Sequence, residues 1–398
     1  MLSTRAQNLK TSPTLFLVAK AKELQAQGHD VISLTVGEPD WPTYKCASEA
    51  GIEAIQKNIT KYTPANGTME LRKQIAMMFK EEIGITYPPS AVCVGPGAKF
   101  VIFAALQMIC NPGDEVILSA PYWVSYPTMI ELADGKPVII ETGEKENFKI
   151  TPAALERAIT PKTKGFLFCS PSNPTGLMYT KEELKALADV LKKHPQIVII
   201  SDDMYNKLTF DGSKMAPHIL HVAPELADRT VVVNGGSKAY SMTGWRIGWA
   251  AGPEKLLKAM GDYQSQSTGA PSSIAQHAVL AALKGGDADI EATVKMLKHR
   301  REMVLNQFKK LPHMKVSPPD GAFYLWVDIK YYLGKKYAGQ VIENDKVFAD
   351  ILLNKFFVAT VPGTESGTNG YLRLSFAAAE DRIKEAIVRM VKFTSEIQ

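Results

Sequence analysis

Short runs of apolar residues recur through the middle of the chain, and most stop at a cluster of small or polar residues. They are AVCV (91–94), EVILS (115–119), KPVIIE (136–141), GFLFCS (165–170), IVIIS (197–201), TVVVN (230–234) and RIGWAAG (246–252). Most are continuous rather than alternating, which predicts strands covered on both faces of a largely parallel sheet. Helical patterns lie between them. In TKEELKALADVLKKH, Thr180 and Glu183 stand at the spacing of a capping box. An amphipathic helix is predicted after Ser12-Pro13.

Past about residue 255 the texture changes: a long helix through EATVKMLKHRREMVLNQFKKL leads to GAFYLWVDI and a shorter α/β segment. A chain of 398 residues is too long for one core of ordinary size. The expected fold is α/β. A large domain (46–280) would hold a mostly parallel seven-stranded sheet between helices. A smaller α/β domain would draw on both chain ends, residues 1–45 and 281–398.

Composition narrows the function. A net charge of +5 without a Lys/Arg block argues against nucleic acid and for anionic small ligands. Cys46, Cys93, Cys110 and Cys169 are scattered, and read as reduced, mostly buried thiols of a cytoplasmic protein. The seven histidines form no metal-binding motif. No apolar run approaches the roughly 20 residues of a membrane span, and the N-terminus has no secretory leader pattern. A soluble protein without membrane partners is expected.

Ligands of open α/β sheets bind beyond the carboxyl ends of the strands, so the residues just past each run carry the chemistry. Gly97, Ala98 and Lys99 open a helix where backbone amides can meet an anion, or form a plain strand-to-helix turn. Trp123 can stack on a planar ring or pack in the core. Asn173 lies in a turn and can donate to a ligand oxygen. Asp202, at a buried strand end, needs a partner; it can cap a helix or hold a protonated ring nitrogen. Lys238 and Arg246 come after TVVVN, where a surface lysine and a structural ion pair are the bland alternative. Together, an imine-forming lysine, an aspartate for a pyridinium nitrogen and a phosphate cradle describe pyridoxal phosphate.

The sequence resembles the fold-type-I pyridoxal-phosphate aminotransferases of class I, close to the bacterial aspartate aminotransferases of subgroup Iβ. SLTVGEPDWPT, KYTPANGTMELRKQIA, APYWVSYP, SPSNPTG, SDDMYNKL, SKAYSMTGWRIGW, GAFY and YLRLSFA occur in the family's order over nearly the whole chain. The resemblance implies roles. Lys238 would hold the cofactor and move the proton. Asp202 would pair with the ring N–H. Tyr205 and Asn173 would bind the ring's phenolic oxygen, and Trp123 would lie against the ring. Gly97, Ala98, Lys99, Ser237 and Arg246 would surround the phosphate. Tyr62 would reach the phosphate of a neighbouring subunit, implying a homodimer with shared sites. Arg373, helped by Gly37, would clamp the substrate carboxylate, with Trp123 and Asn173 beside it.

The implied activity is a ping-pong transfer of an amino group from an L-amino acid to a 2-oxo acid such as 2-oxoglutarate. Lys99 at the helix start matches a lysine that recognises a distal carboxylate, which favours aspartate and glutamate. Aromatic, prephenate or kynurenine-type substrates, or a lyase reaction on the same cofactor, are the alternatives. Four departures stand out, the first being a GPG turn (95–97) longer than in some relatives. Gly235 replaces a phosphate-binding serine, Asp203 a common glutamate, and Ser366 an aromatic of the substrate pocket.

Overall fold

The computed structural model describes residues 1–3, 6–7, 9 and 11–398. The part of the N-terminal expectation that falls on residues 4, 5, 8 and 10 lies outside them. All seven predicted strands form, as β2 (Val92–Gly95), β3 (Glu115–Ala120), β4 (Lys136–Glu141), β5 (Thr163–Cys169), β6 (Val198–Asp202), β7 (Thr230–Gly235) and β8 (Gly248–Ala251). They make one sheet in the order β2-β8-β7-β6-β5-β3-β4. Pairings within β7-β6-β5-β3-β4 are parallel, and β8 runs antiparallel to both its neighbours.

The continuous apolar runs have a direct physical reason. Leu118, Leu167, Ile200, Val231 and Val233 enter one core cluster. Their neighbours Ile117, Phe166, Phe168, Ile199 and Val232 enter a second. Successive side chains point to opposite faces, so a strand covered on both sides must be apolar at every position. The first cluster continues into the C-terminal third through Leu297, Phe308, Phe323, Phe348 and Leu372.

That third holds a smaller antiparallel sheet in the order β14 (Val361–Pro362), β15 (Tyr371–Ser375), β10 (Tyr324–Asp328) and β9 (Lys315–Val316). The N-terminal segment is stitched to it. The strand β1 (Ile32–Ser33) pairs in parallel with β13 (Val358–Ala359), and Leu34 O accepts from Ser375 N. A hairpin, β11 (Lys336–Tyr337) and β12 (Gln340–Val341), completes the strands.

The capping box forms as expected. Thr180 Oγ1 accepts from Glu183 N at 3.2 Å, and Glu183 Oε2 accepts from Thr180 N at 2.8 Å. Two expectations change. The helix Pro13–Ala26 forms, but only Ala21 is buried along it, and Leu15 and Phe16 are exposed. Its apolar residues are spread around the axis rather than gathered on one face, so it is not amphipathic. Of the four free cysteines only Cys93 is fully buried; the other three are half-buried. Among the described residues, no helix is long and apolar enough to cross a membrane.

Candidate active site

The carboxyl ends of the parallel strands open onto a cavity of about 300 Å³. Its wall includes Asp202, Lys238, Tyr205, Arg246, Asn173 and Arg373. Gly37, Ala98, Lys99, Trp123 and Ser237 also line it. Residues spread over more than 330 positions of sequence meet here because each lies just past a strand of a sheet, or on a strap between sheets.

Asp202 is the last residue of β6 and is buried. Its carboxylate accepts from the Tyr126 hydroxyl at 2.6 Å and from Met204 N at 3.2 Å. Burial pushes its pKa up to about 6, and the two donors only partly offset this. A carboxylate held this way, with hydrogen-bond donors but no ion-pair partner among the described residues, suits a cationic ring N–H.

Lys238 projects from the turn after β7, and its ammonium donates to Gly37 O. Burial brings its pKa down to about 8, with Arg373 adding repulsion. At pH 7 about a tenth of it is free amine, against a negligible fraction for an exposed lysine. The site therefore supplies an amine ready to form an imine.

Arg373, in the centre of the small sheet on β15, is 2% exposed. It donates to Asn173 Oδ1 at 3.0 Å and to Thr35 O, and lies 4.7 Å from the Tyr324 ring centroid. Its Nε finds no hydrogen-bond partner among the described residues, so the guanidinium keeps a donor in reserve. A planar fork with a free edge fits a carboxylate. Tyr205 and Tyr324 share a hydrogen bond of 2.7 Å. Gly37 is required where it stands, because a Cβ there would fall 1.8 Å from the Tyr324 hydroxyl.

The anion cradle is built from close backbone approaches. Gly97 precedes the helix Ala98–Ile109 at φ 92° and provides no side-chain cap, so the first amides have no partner within the helix. A Cβ on Gly97 would lie 2.6 Å from Arg246 Nη2, and one on Gly248 would lie 2.4 Å from Ala98 N. Arg246 itself adopts φ 54° and donates to Thr243 O at 2.8 Å. Gly235 ends β7 opposite Gly248. A Cβ there would meet Ile247 O at 3.0 Å, a tight contact, and Ser237 is among the hydroxyls that line the cavity.

Lys99 sets its ammonium 5.0 Å from the Trp123 ring centroid at the cavity. Tyr62 is not brought to the cavity of its own chain; it is fully exposed, beside Pro271 and Ile274. Ser366 is buried outside the cavity wall, where its carbonyl accepts from Tyr122 N at 3.1 Å. Asp203 is also outside it, accepting from Ser201 Oγ at 2.6 Å and facing His218 Nε2 at 3.2 Å. Sequence reasoning missed Tyr126, Tyr324, Thr35 and Glu38, which accepts from the Thr243 hydroxyl. Tyr126, Tyr324 and Glu38 lie within the quoted motifs APYWVSYP, GAFY and SLTVGEPDWPT, which was the usable signal for them.

Known proteins resemble this chain in both sequence and fold. The family described as "Aminotransferase class I and II" matches residues 29–390. The aspartate/prephenate aminotransferase of Nitrosomonas europaea is 43% identical over 396 residues, covering 99% of this chain and all of that protein. The aspartate aminotransferase of Bacillus subtilis is 43% identical over 395 residues, covering 99% of each. The crystal structure of the aspartate aminotransferase from Rhizobium meliloti superposes with a TM-score of 0.96 at 38% identity, covering 100% of both chains. That of the Thermus thermophilus enzyme with maleate gives 0.91 at 39%, covering 99% of both. Sequence and fold agree over the whole chain, and the chain belongs to the class I and II aminotransferases, as an aspartate aminotransferase-like enzyme.

Proposed function

We propose that the chain uses pyridoxal 5'-phosphate to move an amino group from L-aspartate or L-glutamate to a 2-oxo acid such as 2-oxoglutarate. The observation that carries this is the convergence of Asp202, Lys238, Arg246 and Arg373 on one cavity. The residues fit the cofactor: Gly97 and Gly248 leave a cradle that a Cβ would fill, and Asp202 offers a hydrogen-bonded carboxylate with no ion-pair partner among the described residues. When bound, the cofactor supplies an aldehyde that condenses with amines and a ring that takes up the electron pair from Cα.

In this reading Lys238 would anchor the group and, once its amine is released, would take and hold the proton from substrate Cα. Asp202 keeps the ring nitrogen protonated. Tyr205 and Asn173 would offer hydrogen-bonding groups to the ring, and Trp123, on the same cavity wall, would pack beside it. Gly97, Ala98, Lys99, Ser237 and Arg246 surround the phosphate. Arg373 clamps the substrate α-carboxylate and orients Cα.

The proposal extends to a cytoplasmic homodimer in which Tyr62 serves the partner's site. The complete exposure of Tyr62, with exposed Ile52, Ile55 and Ile59 nearby in sequence, supports an interface there. Four free cysteines suit a reducing compartment. The stitching of residues 32–34 to 357–375 supports one small domain drawn from 1–45 and 281–398 against a large domain of 46–280. Prephenate as acceptor is a second reading. It is favoured by the name of the Nitrosomonas europaea relative and by the pairing of a cation with an aromatic face at Lys99 and Trp123.

Two measurements test this. Lys238→Ala should abolish covalent cofactor attachment and turnover; wild-type activity in that variant would overturn the assignment. Half-reactions across a panel of amino acids should convert the cofactor to its amine form with aspartate and glutamate, and Lys99→Met should lower that preference. Conversion by phenylalanine or alanine alone would refute the dicarboxylate reading.

A further inference from the structure

Lys207 carries another cation into the interior, two residues past Tyr205 and off the cavity wall. Its ammonium donates to Tyr240 Oη at 3.2 Å and lies 2.8 Å from Glu82 Oε1. The side chains of Lys207 and Glu82 are only 16% and 11% exposed. Glu82 belongs to the last turn of the helix Met69–Ile83, and Tyr240 stands two residues past Lys238. Burial opposes the charge on Lys207, but the Tyr240 and Glu82 oxygens outweigh it and hold its pKa above the ordinary lysine value.

A second arm leaves the same carboxylate. Asn206 Nδ2 donates to Glu82 Oε2 at 3.4 Å, and Asn234 Nδ2 donates to Asn206 Oδ1 at 3.1 Å. Gly235 N then donates to Asn234 Oδ1 at 2.7 Å. One arm therefore grips the cofactor turn at Gly235 and the other at Tyr240, with Lys238 between them. A buried ion pair gives little net stability once its desolvation is counted. Its stronger effect is to fix geometry, and the proposed chemistry depends on where Lys238 sits relative to Asp202 and Tyr205.

We propose that Glu82, Lys207 and Tyr240 form a buried bracket that sets the spacing between the loop bearing Asp202 and Tyr205 and the turn bearing Lys238. Lys207 is then a positioning residue for the cofactor lysine. This rests on the proposed role of Lys238 as the cofactor's anchor.

The test separates stability from positioning. Lys207→Met leaves Glu82 buried and unpaired, and the melting temperature falls. The neutral double variant Glu82→Met/Lys207→Met removes that unpaired charge and recovers the melting temperature. If the bracket positions Lys238, the double variant still releases pyridoxal 5'-phosphate about tenfold more readily in equilibrium dialysis. The pH midpoint of its bound-cofactor absorbance is displaced as well. Tyr240→Phe, which loses only a hydroxyl, displaces the same midpoint by less. A wild-type dissociation constant and midpoint in the double variant would overturn the bracket. Should that variant not fold, an undisplaced midpoint in Tyr240→Phe would do so. Lys238→Ala separates the two ideas: covalent cofactor retention there would sink the reading of Lys238 itself.

Discussion

Replacing Tyr126 with phenylalanine removes one hydroxyl and tests how the site holds Asp202 charged. The hydroxyl donates to Asp202 Oδ2 at 2.6 Å, and the only other donor to that carboxylate among the described residues is Met204 N at 3.2 Å. A hydrogen bond to an ionised group contributes about 1.5–3 kcal/mol, and one to a neutral group about 0.5–1.5. The difference favours the carboxylate by roughly 1–1.5 kcal/mol, or about one pKa unit. Because the bond stabilises the charged form, its loss raises the pKa from about 6 to roughly 7. At pH 7 the ionised fraction of the unloaded protein then falls from about nine-tenths to about half.

Only the carboxylate can pair with a cationic ring, so cofactor affinity should weaken as pH falls through the Asp202 pKa. Measured by equilibrium dialysis from pH 5 to 8.5, the midpoint should move upward by about one unit in Tyr126→Phe. Affinities should converge with wild type at the alkaline end. A midpoint that stays in place or moves down would refute the reasoning.

Arg373→Lys keeps the charge but loses the planar fork to Asn173 and Thr35. It should raise substrate KM about 30-fold, from a loss of roughly 2 kcal/mol, while cofactor affinity holds; a KM within twofold of wild type would contradict the clamp. Glu144→Gln tests the exposed junction where Lys330 Nζ and the Tyr371 hydroxyl both donate to Glu144, at 2.8 and 2.7 Å. Led by the Lys330 hydrogen bond, these hold the Glu144 pKa down to about 2. A depressed carboxyl pKa stabilises the fold above the ordinary value, and that stability is lost as pH falls toward 2. The variant should cost under about 1 kcal/mol at pH 7 and flatten chemical-denaturation stability between about pH 4.5 and 2; an unchanged acid limb would count against it.

Much of the large sheet was legible in the chain because double burial writes itself as unbroken apolar runs. Thr180 and Glu183 announced their cap because both partners are three residues apart. The candidate site was legible for a different reason: strands deliver their last residues to one edge, so the positions just beyond the apolar runs nearly coincide with the cavity wall. Asp202, Asn173, Lys238 and Arg246 were found this way. Tyr324 and Thr35 were not, because their role is set by contacts across sheets. Tyr324 meets Gly37 and Tyr205, and Thr35 meets Arg373, over separations that no local pattern encodes.

By itself the sequence determined the parallel strands, the helix starts, and the residue types offered at each strand end. Only the tertiary structure decided the antiparallel insertion of β8 and the pairing of β1 with β13. It also decided that Tyr126 holds Asp202, and that Tyr62 is exposed and does not line the cavity of its own chain. It decided as well how tightly Gly235 is packed, since a Cβ there would lie 3.0 Å from the carbonyl of Ile247. The physical reason is common to all of these. Burial and capping act over a few residues and leave a periodic trace, whereas a contact between distant segments exists only once the backbones have packed.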